Sequence, residues 1–210
     1  MPLRPYTTVA GPARDEFSER RSRFIGSIAP VSSEEEAAAF VRSVRETFHD
    51  ARHHVFAYIL RDGRSRFSDD GEPAGTGGKP VLDVLAGAGL SDAAVVVTRY
   101  FGGVLLGTGG LTHAYSQGAA LAVAAARPRP MHPVTALGIT CDYSFYGQLA
   151  YLLPQYGVAT AGSDFGQQVT LDLRCPSGRV EELCRQLTEL SAGRLAPVIG
   201  PEEYMEGAAG

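Results

Sequence analysis

The chain has 210 residues, of which 44% are hydrophobic and 20% charged; these are globular values, and the length allows two domains of ordinary size. No apolar run approaches a bilayer span, Ala119–Ala126 being short and alanine-rich, and residues 1–17 lack the apolar core of a signal peptide, so a cytoplasmic protein with no membrane partner is expected. The net charge of -4 divides into 15 basic against 14 acidic residues over 1–130 and 4 against 9 over 131–210, which excludes tight non-specific DNA binding and leaves only a local patch in the first half for any polyanion.

In chain order, residues 24–31 read as a strand ending near Pro30. Ser32 and Ser33, each followed three residues later by Glu35 or Glu36, carry a capping-box signature, and Ala37, Phe40, Val41, Val44 and Phe48 follow at helical spacing. A strand is expected over 54–60, with a hairpin partner near 64–68 across Asp62-Gly63. Pro80 at a first helical position opens a short helix through Leu85. The run AAVVVTRY, 93–100, is apolar almost throughout, so both faces of that strand are expected to be covered. A helix of small residues runs from Leu111 to Ala126.

Three prolines in residues 127–133 mark the domain boundary, giving domains 1–130 and 131–210. Beyond it, alternating residues 137–143 and 169–173, extended stretches near 158–163 and 195–199, and helices around 149–153 and 180–190 spell β-α-β-β-α-β, the ferredoxin-like order. Cys141, Cys175 and Cys184 are odd in number and lack C-x-x-C spacing, against both a disulfide framework and a cysteine zinc site.

The chemistry-bearing region is 53–113. Two glycine turns, Gly75-Thr76-Gly77-Gly78-Lys79-Pro80 and Gly107-Thr108-Gly109-Gly110, each precede an expected helix; backbone amides at a helix start hold anions, although a tight strand-to-helix connection also requires glycine. Eighteen of the 19 basic residues are arginine, and the single lysine, Lys79, sits in the first turn. Neither turn is a nucleotide P-loop, because Pro73 stands where the first glycine belongs and Pro80 replaces the Ser or Thr. No G-x-G-x-x-G fingerprint is present, and no cofactor is expected. Asp69, Asp70 and Glu72 stand either as a divalent-cation site or as acceptors fixing a tight turn, with the turn role preferred. Arg99, ending the buried strand beside Tyr100 and Phe101, suits a phosphate contact or an internal pair with the acidic turn through Asp70. The neighbours His53 and His54 must face opposite sides of their strand, so one at most serves a given site; His54 is the secondary candidate with Tyr100. No catalytic constellation or metal motif accompanies them.

HHVFAYIL (53–60), SDDGEPAGTGGKP (68–80) and VVVTRYFGGVLLGTGGL (95–111) resemble the signature blocks of the YigZ/IMPACT family over residues 22–126. The resemblance implies an α/β N-terminal domain of the kind found in a small-subunit ribosomal protein. It also implies a C-terminal domain similar to the last domain of the translocation elongation factor. Eukaryotic IMPACT is a translational regulator whose kinase-restraining role depends on an additional domain, so that pathway does not carry over. The leading expectation is a translation-linked binding protein contacting RNA or the ribosome through Lys79, Arg99, Thr76, Gly77, Gly78, Thr108, Gly109 and Gly110. One rival reading is an enzyme acting on a small phosphate- or carboxylate-bearing substrate with Asp69, Asp70 and Glu72. Another is a protein-binding adaptor using the acidic second half.

Overall fold

The structure, a computed structural model, describes Leu3–Gly207; the outermost residues of the two expected domains, 1–2 and 208–210, lie outside the described residues. Contacts divide the chain into Tyr6–Arg129 and a second unit from Pro130 onward, to which residues 3–5 belong.

In the first unit, β2 (Ala13–Glu19), β3 (Ser22–Pro30), β6 (Ala93–Tyr100), β4 (His53–Ile59) and β5 (Ser65–Ser68) form an antiparallel sheet in that order. The central strand β6 has seven of its eight residues buried, and its alternation assigns each to a layer. Val95 and Val97 join Val81 and Leu85 of α2 (Gly78–Gly87) and Tyr115 and Ala119 of α3 (Gly107–Ala125). Ala94 and Val96 meet Ala37, Val41 and Val44 of α1 (Glu34–Thr47). This mixed α/β unit therefore has three layers, with α1 on one face of the sheet and α2 and α3 on the other. A short strand β1 (Tyr6–Val9) is fastened where the Ser91 N–H donates to the Thr7 carbonyl at 2.8 Å.

The start of α1 follows the expected cap in altered form. Ser33 Oγ accepts from the Glu36 N–H at 3.2 Å, while the Glu36 carboxylate reaches back to the N–H of Ser32 rather than Ser33, at 2.6 Å. Both remaining helices begin earlier than expected. Helix α2 starts at Gly78 with Pro80 third, still within the first turn where a missing N–H costs no helical bond. Helix α3 starts at Gly107, so the second glycine turn is its first turn.

The second unit places β10 (Val198–Glu206), β7 (Pro128–Cys141), β9 (Val169–Pro176) and β8 (Ala159–Phe165) in antiparallel order. Leu149 of α4 (Tyr143–Leu152) and Leu183 and Leu187 of α5 (Val180–Ser191) cover Leu137, Ile139, Val169, Leu171 and Leu173 on one face. This is the ferredoxin-like β-α-β-β-α-β arrangement. Strand β7 begins within the proline-rich run, at Pro128. Cys141 and Cys175 are free and buried there, Cys184 is free and half-buried, and burial pushes the Cys175 thiol up to about 11, away from thiolate reactivity. Among the described residues no helix is long and apolar enough to cross a membrane.

Candidate functional site

Strand register builds the floor of the site. Arg99 lies opposite His53 on β4 and opposite Phe24 on β3, so all three project toward the α2/α3 layer. The Arg52 N–H donates to the Arg99 carbonyl at 3.3 Å, which ties the entry of β4 to the end of β6. The Arg99 Nη1 donates to Glu72 Oε1 at 2.6 Å, and the Tyr115 hydroxyl donates to the same oxygen at 2.8 Å. Burial pushes the Tyr115 pKa far up, with the Glu72 charge adding to it, so the phenol stays protonated as a donor. The guanidinium carbon is 5.5 Å from the Phe24 ring centre and 5.4 Å from that of Phe101. His53 Nδ1 is 2.8 Å from the Asp70 carbonyl, which only accepts, so that nitrogen carries the proton; Nε2 faces Glu72 at 3.8 Å.

Above this floor opens a cavity of about 380 Å³. Its walls include Arg52, Phe101, Leu105, Leu106, Gly107 and Thr108, with Arg99, His53 and Glu72 at the base. Phe101 is 40% and Leu105 81% exposed, so the rim is apolar while the base is charged and buried. Helix α3 begins at this wall, and no side chain caps its N-terminus. Nineteen aligned residues direct the positive end of the helix dipole and its unpaired N–H groups there. Beside the rim, Arg20 and Arg21 occupy the β2–β3 turn with φ of 44° and 67°. Gly102 packs against that turn so tightly that a Cβ would lie 2.1 Å from the Arg21 carbonyl.

The other residues singled out from sequence stand elsewhere. The first glycine turn already holds an anion, the carboxylate of Asp69. Oδ1 accepts from the Gly77 and Gly78 N–H groups at 2.9 and 2.8 Å, and Oδ2 from Gly75 at 2.9 Å. Burial by itself raises the Asp69 pKa, but the three donors outweigh it and the net shift is downward. Thr76 is buried with its hydroxyl on the Pro73 carbonyl. A Cβ at Gly78 would meet the Ser68 backbone at 2.8 Å, so the glycine serves close packing on β5. Lys79 is exposed, pairs with Asp83 one turn along α2, and does not line the cavity. In the second turn Thr108 lines the cavity, whereas Gly109 and Gly110 share its helical turn without forming the wall.

Arg99 pairs internally with Glu72, not with Asp70, which binds Arg45 and accepts the His54 N–H at 2.7 Å. Asp69, Asp70 and Glu72 thus face three separate sets of partners. Among the described residues no group of three or more His, Cys, Asp or Glu is placed to hold a metal ion. His54 lies on the α1 side with Nε2 3.1 Å from the Phe48 carbonyl, and burial lowers its pKa. Tyr100 also faces that side, its hydroxyl 2.6 Å from Asp50. Arg52 and Tyr115 are not among the residues expected from the sequence, Phe101 enters there only as the neighbour of Arg99, and the cavity is lined by His53 where His54 is the expected candidate. Strand parity was an available signal for Phe101, which shares the side of Arg99 two residues before it.

The cavity lies within residues 20–123, the stretch matched by the Impact N-terminal domain; a domain of unknown function, DUF1949, matches 139–194. The chain is 39% identical over 180 residues to IMPACT family member YigZ of Escherichia coli (strain K12), covering 84% of this chain and 88% of that protein. The chain belongs to the IMPACT family. Within the family, it is 30% identical over 206 residues to member YvyE of Bacillus subtilis (strain 168), covering 97% and 95% of the two chains. Protein IMPACT of Xenopus laevis is 34% identical over 106 residues, 47% of this chain and 33% of that protein. A solved structure titled as a hypothetical protein superposes with a TM-score of 0.63 at 36% identity, covering 96% of this IMPACT family chain and 99% of the other.

Proposed function

We propose that this IMPACT family member is a translation-linked binding protein that acts in the cytoplasm and contacts RNA, free or within the ribosome, through its first unit. The observation that carries this reading is the meeting of Arg52, Arg99, exposed Phe101 and the uncapped N-terminus of α3 at one cavity. Cations and helix N–H groups recognise phosphate, and an exposed ring at the rim supplies a stacking face for a base. The resemblance to a family with a translational regulator supplies the biological context. Lys79 and the first glycine turn take no part in this reading, because Asp83 and Asp69 already engage them.

The test is titration of a short single-stranded RNA into the full chain across a salt series. Affinity should fall as salt rises. Arg52→Ala should lower the magnitude of the log–log slope by roughly 0.7, the contribution of one phosphate contact on a single strand. RNA binding that is absent, or that ignores salt, overturns the proposal.

A further inference from the structure

We propose that the cavity recognises the end of a nucleotide chain, taking a terminal phosphate monoester, and does not track the backbone of a continuous strand. The inference deepens the RNA reading above and rests on it for the polymer.

Two independent observations point to an oxyanion here. One is the N-terminus of α3, which no side chain caps. The other is Arg99 Nε, a buried N–H with no hydrogen-bond partner, on a residue only 4% exposed that walls the same cavity. Elsewhere on that guanidinium, Nη1 gives one N–H to Glu72 and Nη2 approaches Ser22 Oγ at 3.5 Å. Glu72 in turn accepts from both Arg99 and Tyr115, so its charge is compensated within the floor. A buried donor left unmet is unfavourable, and an incoming phosphate oxygen would satisfy it.

The shape selects an end. At the base Arg99 and Glu72 are buried and His53 is half-buried, so a chain entering past the exposed Phe101 and Leu105 meets these three side chains as a floor. About 380 Å³ falls within the range of roughly 300–1,000 Å³ that small-ligand sites occupy, enough for a single terminal nucleotide. A phosphodiester carries one charge and needs an exit on both sides. A terminal monoester carries nearly two and needs one opening. Its extra charge is matched by Arg52, the Arg99 Nε–H and the helix end together. Phe101 then lies where the attached base would stack.

The chemistry is shared by a phosphorylated RNA end and a free nucleoside monophosphate, and the experiment separates them. RNA of one sequence is prepared with a 5′-phosphate, a 3′-phosphate or hydroxyl ends, and each is titrated into the full chain. One phosphorylated form should bind about tenfold more tightly than the hydroxyl form. Thr108→Glu places a carboxylate at the same helix end; Thr108 is exposed and an acid is favourable in a first turn, so the fold persists while the preference should vanish. Nucleoside monophosphate should compete with every form, displacing hydroxyl RNA at a lower concentration than phosphorylated RNA.

Equal affinity for all three RNAs would overturn end recognition while leaving RNA binding intact. A preference that survives Thr108→Glu would overturn the location. Binding of the monophosphate without any binding of RNA would support the phosphate site and remove the polymer reading.

Discussion

The Arg99 guanidinium and the Glu72 carboxylate meet at 2.6 Å with side chains 5% and 4% exposed, joining the end of β6 to the acidic turn. A pair buried to this degree adds little over an apolar substitute, but losing one member strands the other charge. Glu72→Ala is therefore expected to destabilise the first unit by about 3–5 kcal/mol. Tyr115→Phe removes one hydrogen bond to the same oxygen and should cost about 1–3 kcal/mol. Because both donors share Glu72 Oε1, the double variant should fall short of the sum. Urea unfolding of the three variants checks this, and a wild-type midpoint for Glu72→Ala would contradict it.

Asp69 gives the stability an acid-sensitive component. Its folded pKa lies below the unfolded value of about 3.9, so the unfolded chain takes up a proton first as pH falls. The stabilisation is complete above that value and is lost as pH drops through the folded one. Asp69→Ala should cost about 1–2 kcal/mol at neutral pH, as a lost helix cap does. That difference from wild type should narrow below about pH 4. Denaturant titrations at pH 7 and pH 3 test both statements, and a gap of constant size would contradict the second.

Lys79→Ala should change stability by no more than about 0.5 kcal/mol, since its pair with Asp83 is exposed and one turn apart on α2. RNA affinity should remain at the wild-type level, because the side chain lies outside the cavity wall. A tenfold loss in a binding titration would return the first glycine turn to the site.

The uneven legibility of the sequence follows from the range of the interactions involved. Elements written in local period were readable: the covered strand at 93–100, the capped helix after Ser33, and the β-α-β-β-α-β order beyond the prolines. Strand β2 was missed because ARDEFSE is mostly charged and only partly buried, leaving no apolar alternation to detect. The two glycine turns look alike in sequence but differ in structure, because a carboxylate six to nine residues upstream folds onto the first and nothing equivalent reaches the second. The positions of His53 and His54 were illegible for a similar reason. Parity separates the two rings, but only the β4–β6 register shows which one stands opposite Arg99.

At the rim, Phe101→Ala should weaken RNA binding by about 1–3 kcal/mol, the range for loss of one base–aromatic stack. The salt slope should stay close to that of wild type, because no cation is removed. A changed slope with unchanged affinity would assign Phe101 another role.

The most direct measurement is photo-crosslinking of single-stranded RNA to the full chain, with the attached peptides mapped by mass spectrometry. If RNA meets the protein at the mouth of α3, crosslinks concentrate on Phe101 and the segment 99–111 and disappear with Phe101→Ala. Crosslinks confined to residues 131–210, or to the α1 face around His54 and Tyr100, would contradict the account.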